Sequence, residues 1–280
     1  MIVILFFATI AAPAWADPET VTFKSSDKQT VLVGYLFKPS GDGAHPAVVL
    51  LHGRTGPYSA NNNADCTLVA ESVSSPCNAT TLSKRHAMWG QYWADHGYVA
   101  LLPDSFGPRG KASGFGRFSH GDSERDDVNE RTVRPLDAEG ALAYLRGRKD
   151  VAPNRIFLQG WSNGGSTTLN VMIRQGTQPG FRAALAFYPG CGRSALLSPA
   201  IPATAPITIL AAEEDEEVSP DFCEQLTDRS IGASVRLIVY RGASHDFDDP
   251  GERRQANADN RAAKADAMAR ALAIFEAIKN

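Results

Sequence analysis

The chain predicts an α/β fold: a mostly parallel central sheet of about eight strands flanked by helices. Three observations carry this expectation. Short continuous apolar runs such as Val48-Val49-Leu50-Leu51 and Ile156-Phe157-Leu158 read as strands buried on both faces. Segments with helical spacing alternate with them, as at Leu169, Met172 and Ile173, which stand at i, i+3, i+4. Several of these runs also end in glycine-rich turns, Gly53-Arg54-Thr55-Gly56 and Gly160-Trp161-Ser162-Asn163-Gly164-Gly165, where the backbone can approach a neighbour closely.

In chain order, residues 21–23 and 31–37 read as a leading antiparallel pair, bounded by Ser25-Ser26-Asp27 and by Pro39-Ser40-Gly41-Asp42-Gly43. The run at 48–51 follows, and then an irregular polar insertion near 57–83. A helix is expected over 84–96, ending before Gly97, and a strand over 98–102. The strand opens into a second insertion near 103–130. Ala138, Ala141, Leu142 and Leu145 then share one helix face. The strand at 156–158 and its helix come next, followed by strands at 184–188, 207–211 and 235–239. A terminal helix carries Ala271, Ile274, Phe275 and Ile278 on one side. Strands alternating with helices imply right-handed crossovers.

Composition narrows the partner. With 280 residues, 43% of them hydrophobic, the chain can bury one large core, so a single domain over 17–280 is expected. A net charge of −3 leaves no basic footprint, so neither nucleic acid nor a stable membrane anchor is expected; the partner is a small molecule, and nothing bears on oligomeric state. Residues 1–16 read as a signal peptide. Ile2 to Ile10 is almost wholly apolar and too short to span a bilayer, and Ala14-Trp15-Ala16 offers small residues for cleavage, although no Lys or Arg precedes the apolar run. An exported protein, periplasmic or secreted, is expected to oxidise its cysteines. The four present allow three pairings; we adopt Cys66 with Cys77, a local loop, and Cys191 with Cys223, which ties two segments that each follow a core strand.

Chemistry concentrates at strand exits. Ser162 lies at a sharp strand-to-helix turn, a nucleophile elbow, where side chains at 160 or 164 would strike backbone. The new helix points unpaired N–H groups at whatever the serine attacks. A serine needs a base and a group to orient that base. After the strand at 207–211 comes Glu213-Glu214-Asp215-Glu216-Glu217, and after the strand at 235–239 comes Ser244-His245-Asp246-Phe247. Both leave the sheet edge that Ser162 occupies, where ligands of open α/β sheets bind. Ser162, Asp215 and His245 are therefore the candidate catalytic residues, with most of the acidic run read as solvated. The amides of Arg54 and Asn163 are the candidate oxyanion hole. Tyr58, Phe106, Arg109 and Trp161 are candidate substrate contacts, with Arg117 a second arginine that could meet a substrate carboxylate. No metal or organic cofactor is required.

Together these motifs resemble the dienelactone hydrolase family of α/β-hydrolases, particularly its exported members. The resemblance runs through His52-Gly53-Arg54-Thr55-Gly56, Leu102-Pro103-Asp104-Ser105-Phe106-Gly107, Gly160-Trp161-Ser162-Asn163-Gly164-Gly165, Phe187-Tyr188-Pro189-Gly190 and Gly242-Ala243-Ser244-His245-Asp246-Phe247. It implies an α/β-hydrolase fold, and an acid in the loop after the penultimate long strand, which matches Asp215. The namesake enzymes use a cysteine where this chain has Ser162, and carry a glutamate in the first oxyanion loop that is absent here. General hydrolysis of carboxylic esters or lactones is therefore the implied activity. An oligopeptidase-like amide hydrolase and a non-catalytic exported binding protein are the other readings.

Overall fold

The structure, a computed structural model, describes residues 17–59, 65–230 and 234–278; the leader expected at 1–16 lies outside the described residues. Eight strands form one sheet in the order β1-β2-β4-β3-β5-β6-β7-β8. They are β1 (Glu19–Lys24), β2 (Val31–Phe37), β3 (His45–Leu51), β4 (Val99–Asp104), β5 (Val151–Trp161), β6 (Ala184–Phe187), β7 (Ile207–Glu214) and β8 (Val235–Ser244). β1 pairs with β2 and β2 with β4 antiparallel; every later pairing is parallel. This is the α/β-hydrolase arrangement. All six residues of β4 and six of the seven of β3, Val49, Leu50, Leu51, Leu101 and Leu102 among them, are buried, so both faces of these strands are covered and they read as near-continuous apolar runs.

The helices are α1 (Lys84–Asp95), α2 (Arg134–Arg146), α3 (Asn163–Gln175), α4 (Asp221–Arg229), the single turn α5 (Glu252–Gln255) and α6 (Ala258–Ile278). One face of the sheet buries Ala138, Ala141 and Leu145 of α2, Leu169 and Met172 of α3, and Leu226 of α4. The other buries Trp89 and Trp93 of α1 with Ala263, Ala267, Ala271 and Phe275 of α6. The small residues of α6 let it lie close to the sheet, and Phe275 stacks on both Trp93 and Phe157. Among the described residues no helix is long and apolar enough to cross a membrane.

Two disulfides fasten loops of the fold. Cys66 is bonded to Cys77, and Cys191 to Cys223, the latter fastening the loop after β6 to α4. The segment after β4 folds into short 3-10 turns at Gly107–Arg109, Ser119–Gly121 and Ser123–Val128. α4 has no counterpart in the sequence reading; it begins at a proline, and only Cys223 and Leu226 of its nine residues are buried, too few to show a helical period.

Candidate active site

β5 ends at Trp161 and α3 begins at Asn163, so Ser162 is the single residue that turns strand into helix. Its φ of 52° and ψ of −117° are strained for a residue with a side chain. The turn closes because of two glycines. A Cβ on Gly160 would stand 2.2 Å from Gly164 O, and one on Gly164 would stand 2.0 Å from Leu51 O. Ser162 Oγ is thereby held 3.0 Å from His245 Nε2. His245 Nδ1–H donates to Asp215 at 2.8 and 2.9 Å, so the ring's second nitrogen is left to accept from the serine.

Burial disfavours a charged His245, but the hydrogen bond to Asp215 and the charges of Asp246, Asp215 and Glu217 outweigh it, and its pKa lies above the ordinary histidine value. The acidic run that ends β7 and continues past it is not simply solvated. Glu213 accepts from Gly242 N, Glu216 accepts from His245 N, and Glu217 takes a bidentate pair of hydrogen bonds from Arg54 at 2.9 and 3.0 Å. Glu217 also pairs with Arg117 Nε at 2.7 Å and stands 3.8 Å from His245 Nε2. Arg117 is thus engaged at the mouth of the site by Glu216 and Glu217.

The Arg54 loop and the first turn of α3 meet beside Ser162, and both residues border the same small cavity as the serine. Asn163, as the first residue of α3, has no acceptor for its N–H within the helix. Beneath them lies Arg134, which the sequence reading missed. Fully buried, it donates to His52 O at 2.8 Å and to Asn163 Oδ1, bracing Asn163 itself and the start of the loop that carries Arg54. A buried arginine at the start of a helix has no local sequence signature. His52 completes the brace, with Nε2 accepting from Ser105 N at 3.2 Å and Nδ1–H donating to Gly53 O at 2.8 Å.

Three expected substrate contacts lie elsewhere. Phe106 is fully buried, turned inward because Asp104 accepts from the amides of Phe106 and Gly107, and it packs against His52 and under Arg134. Arg109 is clamped by Asp137 in two bonds of 2.9 Å, by Ser105 O and by Asp27, fastening the long loop to α2. Trp161 sits in the core and donates from its indole to Asp248 at 2.8 Å. Asp248 also accepts from Trp89 and Tyr188, so this one buried carboxylate ties α1, β5 and the end of β6 to the loop that carries His245. Tyr58 does border the site, but its hydroxyl is held between Tyr35 and Asp104.

Two spaces open beside Ser162. One is lined by Asn163, Ser166, Gly190, Val218 and Phe118, and leads past Gly190, Glu217 and Val218 into a cavity of about 570 Å³ walled by Ala195 and Phe222. The other, of about 170 Å³, is lined by His245, Ser83, Arg85, His86, Asp246 and Asp249.

A model of the dienelactone hydrolase family matches residues 81–279. Among solved structures, the chain resembles a dienelactone hydrolase-like promiscuous phosphotriesterase from metagenomic libraries, with 17% identity, a TM-score of 0.69, and coverage of 95% of this chain and 100% of that one. It also resembles esterase 2 of Thermogutta terrifontis phosphorylated by paraoxon, with 18% identity, a TM-score of 0.58, and coverage of 91% and 93%.

Proposed function

The chain belongs to the dienelactone hydrolase family, and from that premise we propose that it is an exported serine hydrolase that cleaves carboxylic esters or lactones through an acyl-enzyme intermediate. The observation that carries this reading is the unbroken line of hydrogen bonds from Ser162 Oγ through His245 to Asp215. In the first half, Oγ forms a bond to the ester carbonyl carbon while His245 Nε2 takes its proton. The carbonyl oxygen gains the negative charge and is met by the Arg54 and Asn163 amides. The bond to the alcohol oxygen then breaks, and Nε2 returns the proton to it. In the second half, water attacks the acyl carbon, losing its proton to His245, and the Ser162 oxygen leaves with that proton. Asp215 stays ionised, holding the imidazole tautomer and stabilising the imidazolium. The two disulfides support an oxidising compartment, and hence export.

The test is hydrolysis of short-chain aryl esters by the purified protein beside Ser162→Ala. Activity is expected in the first and absent from the second, and paraoxon is expected to leave one diethylphosphoryl group on Ser162, read by peptide mass spectrometry. Equal activity in a folded Ser162→Ala variant would overturn the assignment.

A further inference from the structure

The two spaces beside Ser162 are chemically unlike, and the mechanism decides which part of an ester each receives. The leaving oxygen must take a proton from His245 Nε2, so the alcohol occupies the space that His245 lines. The acyl group takes the other side, against Asn163, Gly190, Val218 and Phe118. Phe118, 79% exposed, and Phe222, 50% exposed, give that acyl side apolar walls.

The alcohol side is the more highly charged of the two: Ser83, Arg85, His86, Asp246 and Asp249 line it beside Tyr58, while Arg54 and Glu217 border both spaces. Asp246 and Asp249 are held by Arg85 at 2.7 and 3.1 Å, and Ser83 caps α1 beside them. His86 is only 3% exposed. Its Nδ1 lies 2.9 Å from Pro57 O, which can only accept, and 2.8 Å from Ser83 Oγ, which can accept as well, so Nδ1 carries the proton and shares it between them. Nε2 is then a bare acceptor, and among the described residues it is buried with no hydrogen-bond partner. Burial, with the nearby charge of Arg85, lowers the His86 pKa to about 4, which keeps the ring neutral. A buried acceptor left unpaired is unfavourable, and a site that holds one discriminates for ligands that can donate to it.

Resting on the esterase reading, we propose that this space is a hydroxyl-binding subsite and that the natural alcohol is a small polyol or sugar, one of whose free hydroxyls donates to His86 Nε2. The carboxylates of Asp246 and Asp249, fixed by Arg85, accept from further hydroxyls. An alcohol without them leaves His86 unpaired and the acidic wall desolvated.

The test compares 1-acetylglycerol with propyl acetate, which share the acyl group and a three-carbon alcohol and differ only in hydroxyls. The glycerol ester is expected to be favoured about tenfold or more in kcat/KM. That ratio collapses toward one in His86→Phe and in His86→Asn, the second of which keeps an N–H able to reach Pro57 O. A ratio near one in the wild-type protein, or one unchanged in both variants while they melt cooperatively, overturns the subsite. Saturation-transfer NMR on Ser162→Ala reads the same preference without turnover. There the glyceryl protons are expected to receive more saturation than the propyl protons, and the difference is expected to vanish when His86→Phe is added. No difference in the Ser162→Ala protein overturns the subsite. If neither ester is hydrolysed but the NMR preference is present, it is the esterase reading that fails.

Discussion

Arg134→Lys tests whether the brace beneath the elbow serves catalysis or only folding. The substitution keeps a buried cation but removes the fork that reaches two acceptors at once, His52 O and Asn163 Oδ1. One of them then loses its donor, at roughly 1–3 kcal/mol for a buried unsatisfied group. In a domain of this size that lowers Tm by roughly 2–12 °C. One acceptor is the side chain of Asn163, which carries one candidate oxyanion amide, and the other is His52 O, two residues before Arg54, which carries the second, so freeing either lets one amide drift. Complete loss of one such donor costs about 10²–10³ in kcat. Partial displacement should cost about tenfold, in kcat rather than KM, because the oxyanion forms only in the transition state. The assay is steady-state hydrolysis of an aryl ester alongside thermal unfolding. A fall in Tm with kcat unchanged would refute the catalytic link and leave Arg134 as a fold brace alone.

Three further outcomes follow from the same geometry. Glu217→Gln should move the acid limb of kcat/KM to lower pH: His245 must be neutral to act as base, its pKa is raised in part by the Glu217 charge, and removing that charge lets it lose its proton at lower pH. An unshifted or upward-shifted limb in a pH profile would contradict this. Serine at both Cys191 and Cys223 opens a loop of sequence separation 32, which the chain-entropy relation values at about 3.7 kcal/mol; urea titration should show that loss, and an unchanged midpoint would show that the bond adds no stability. Gly164→Ala places a Cβ 2.0 Å from Leu51 O, so the elbow must open; esterase activity should be lost, and a fully active variant would mean that the turn is looser than described.

Most of the sheet could be read because its signal is local. β3, β4 and β6 are short, apolar and flanked by turn residues, and the faces of α2 and α6 repeat at the helical period. Boundaries were less legible: β5 begins at Val151, well before its apolar core, because Val151 pairs with His45 across the sheet. The long loop after β4 looked like a place for substrate-binding arginines. Instead Arg109 answers Asp137 and Asp27, partners distant in the chain that no pattern in the loop announces.

At the site, the order of serine, acid and histidine at strand exits marks Ser162, Asp215 and His245, because parallel strands send their C-terminal loops to one edge. Side-chain direction is what the sequence by itself left open. Trp161 adjoins Ser162 yet points into the core, since alternate residues of a strand face opposite ways and its indole finds Asp248. Of five neighbouring acidic residues, only tertiary packing gives Asp215 to the histidine ring, Glu216 to its backbone and Glu217 to Arg54. Periodicity and turn chemistry determine which strands form and where they end, because those depend on neighbours within a few residues. Pairing among buried charges depends on residues brought together across the sheet, so Arg134, Glu217, Asp248 and His86 acquire their places only when the layers close.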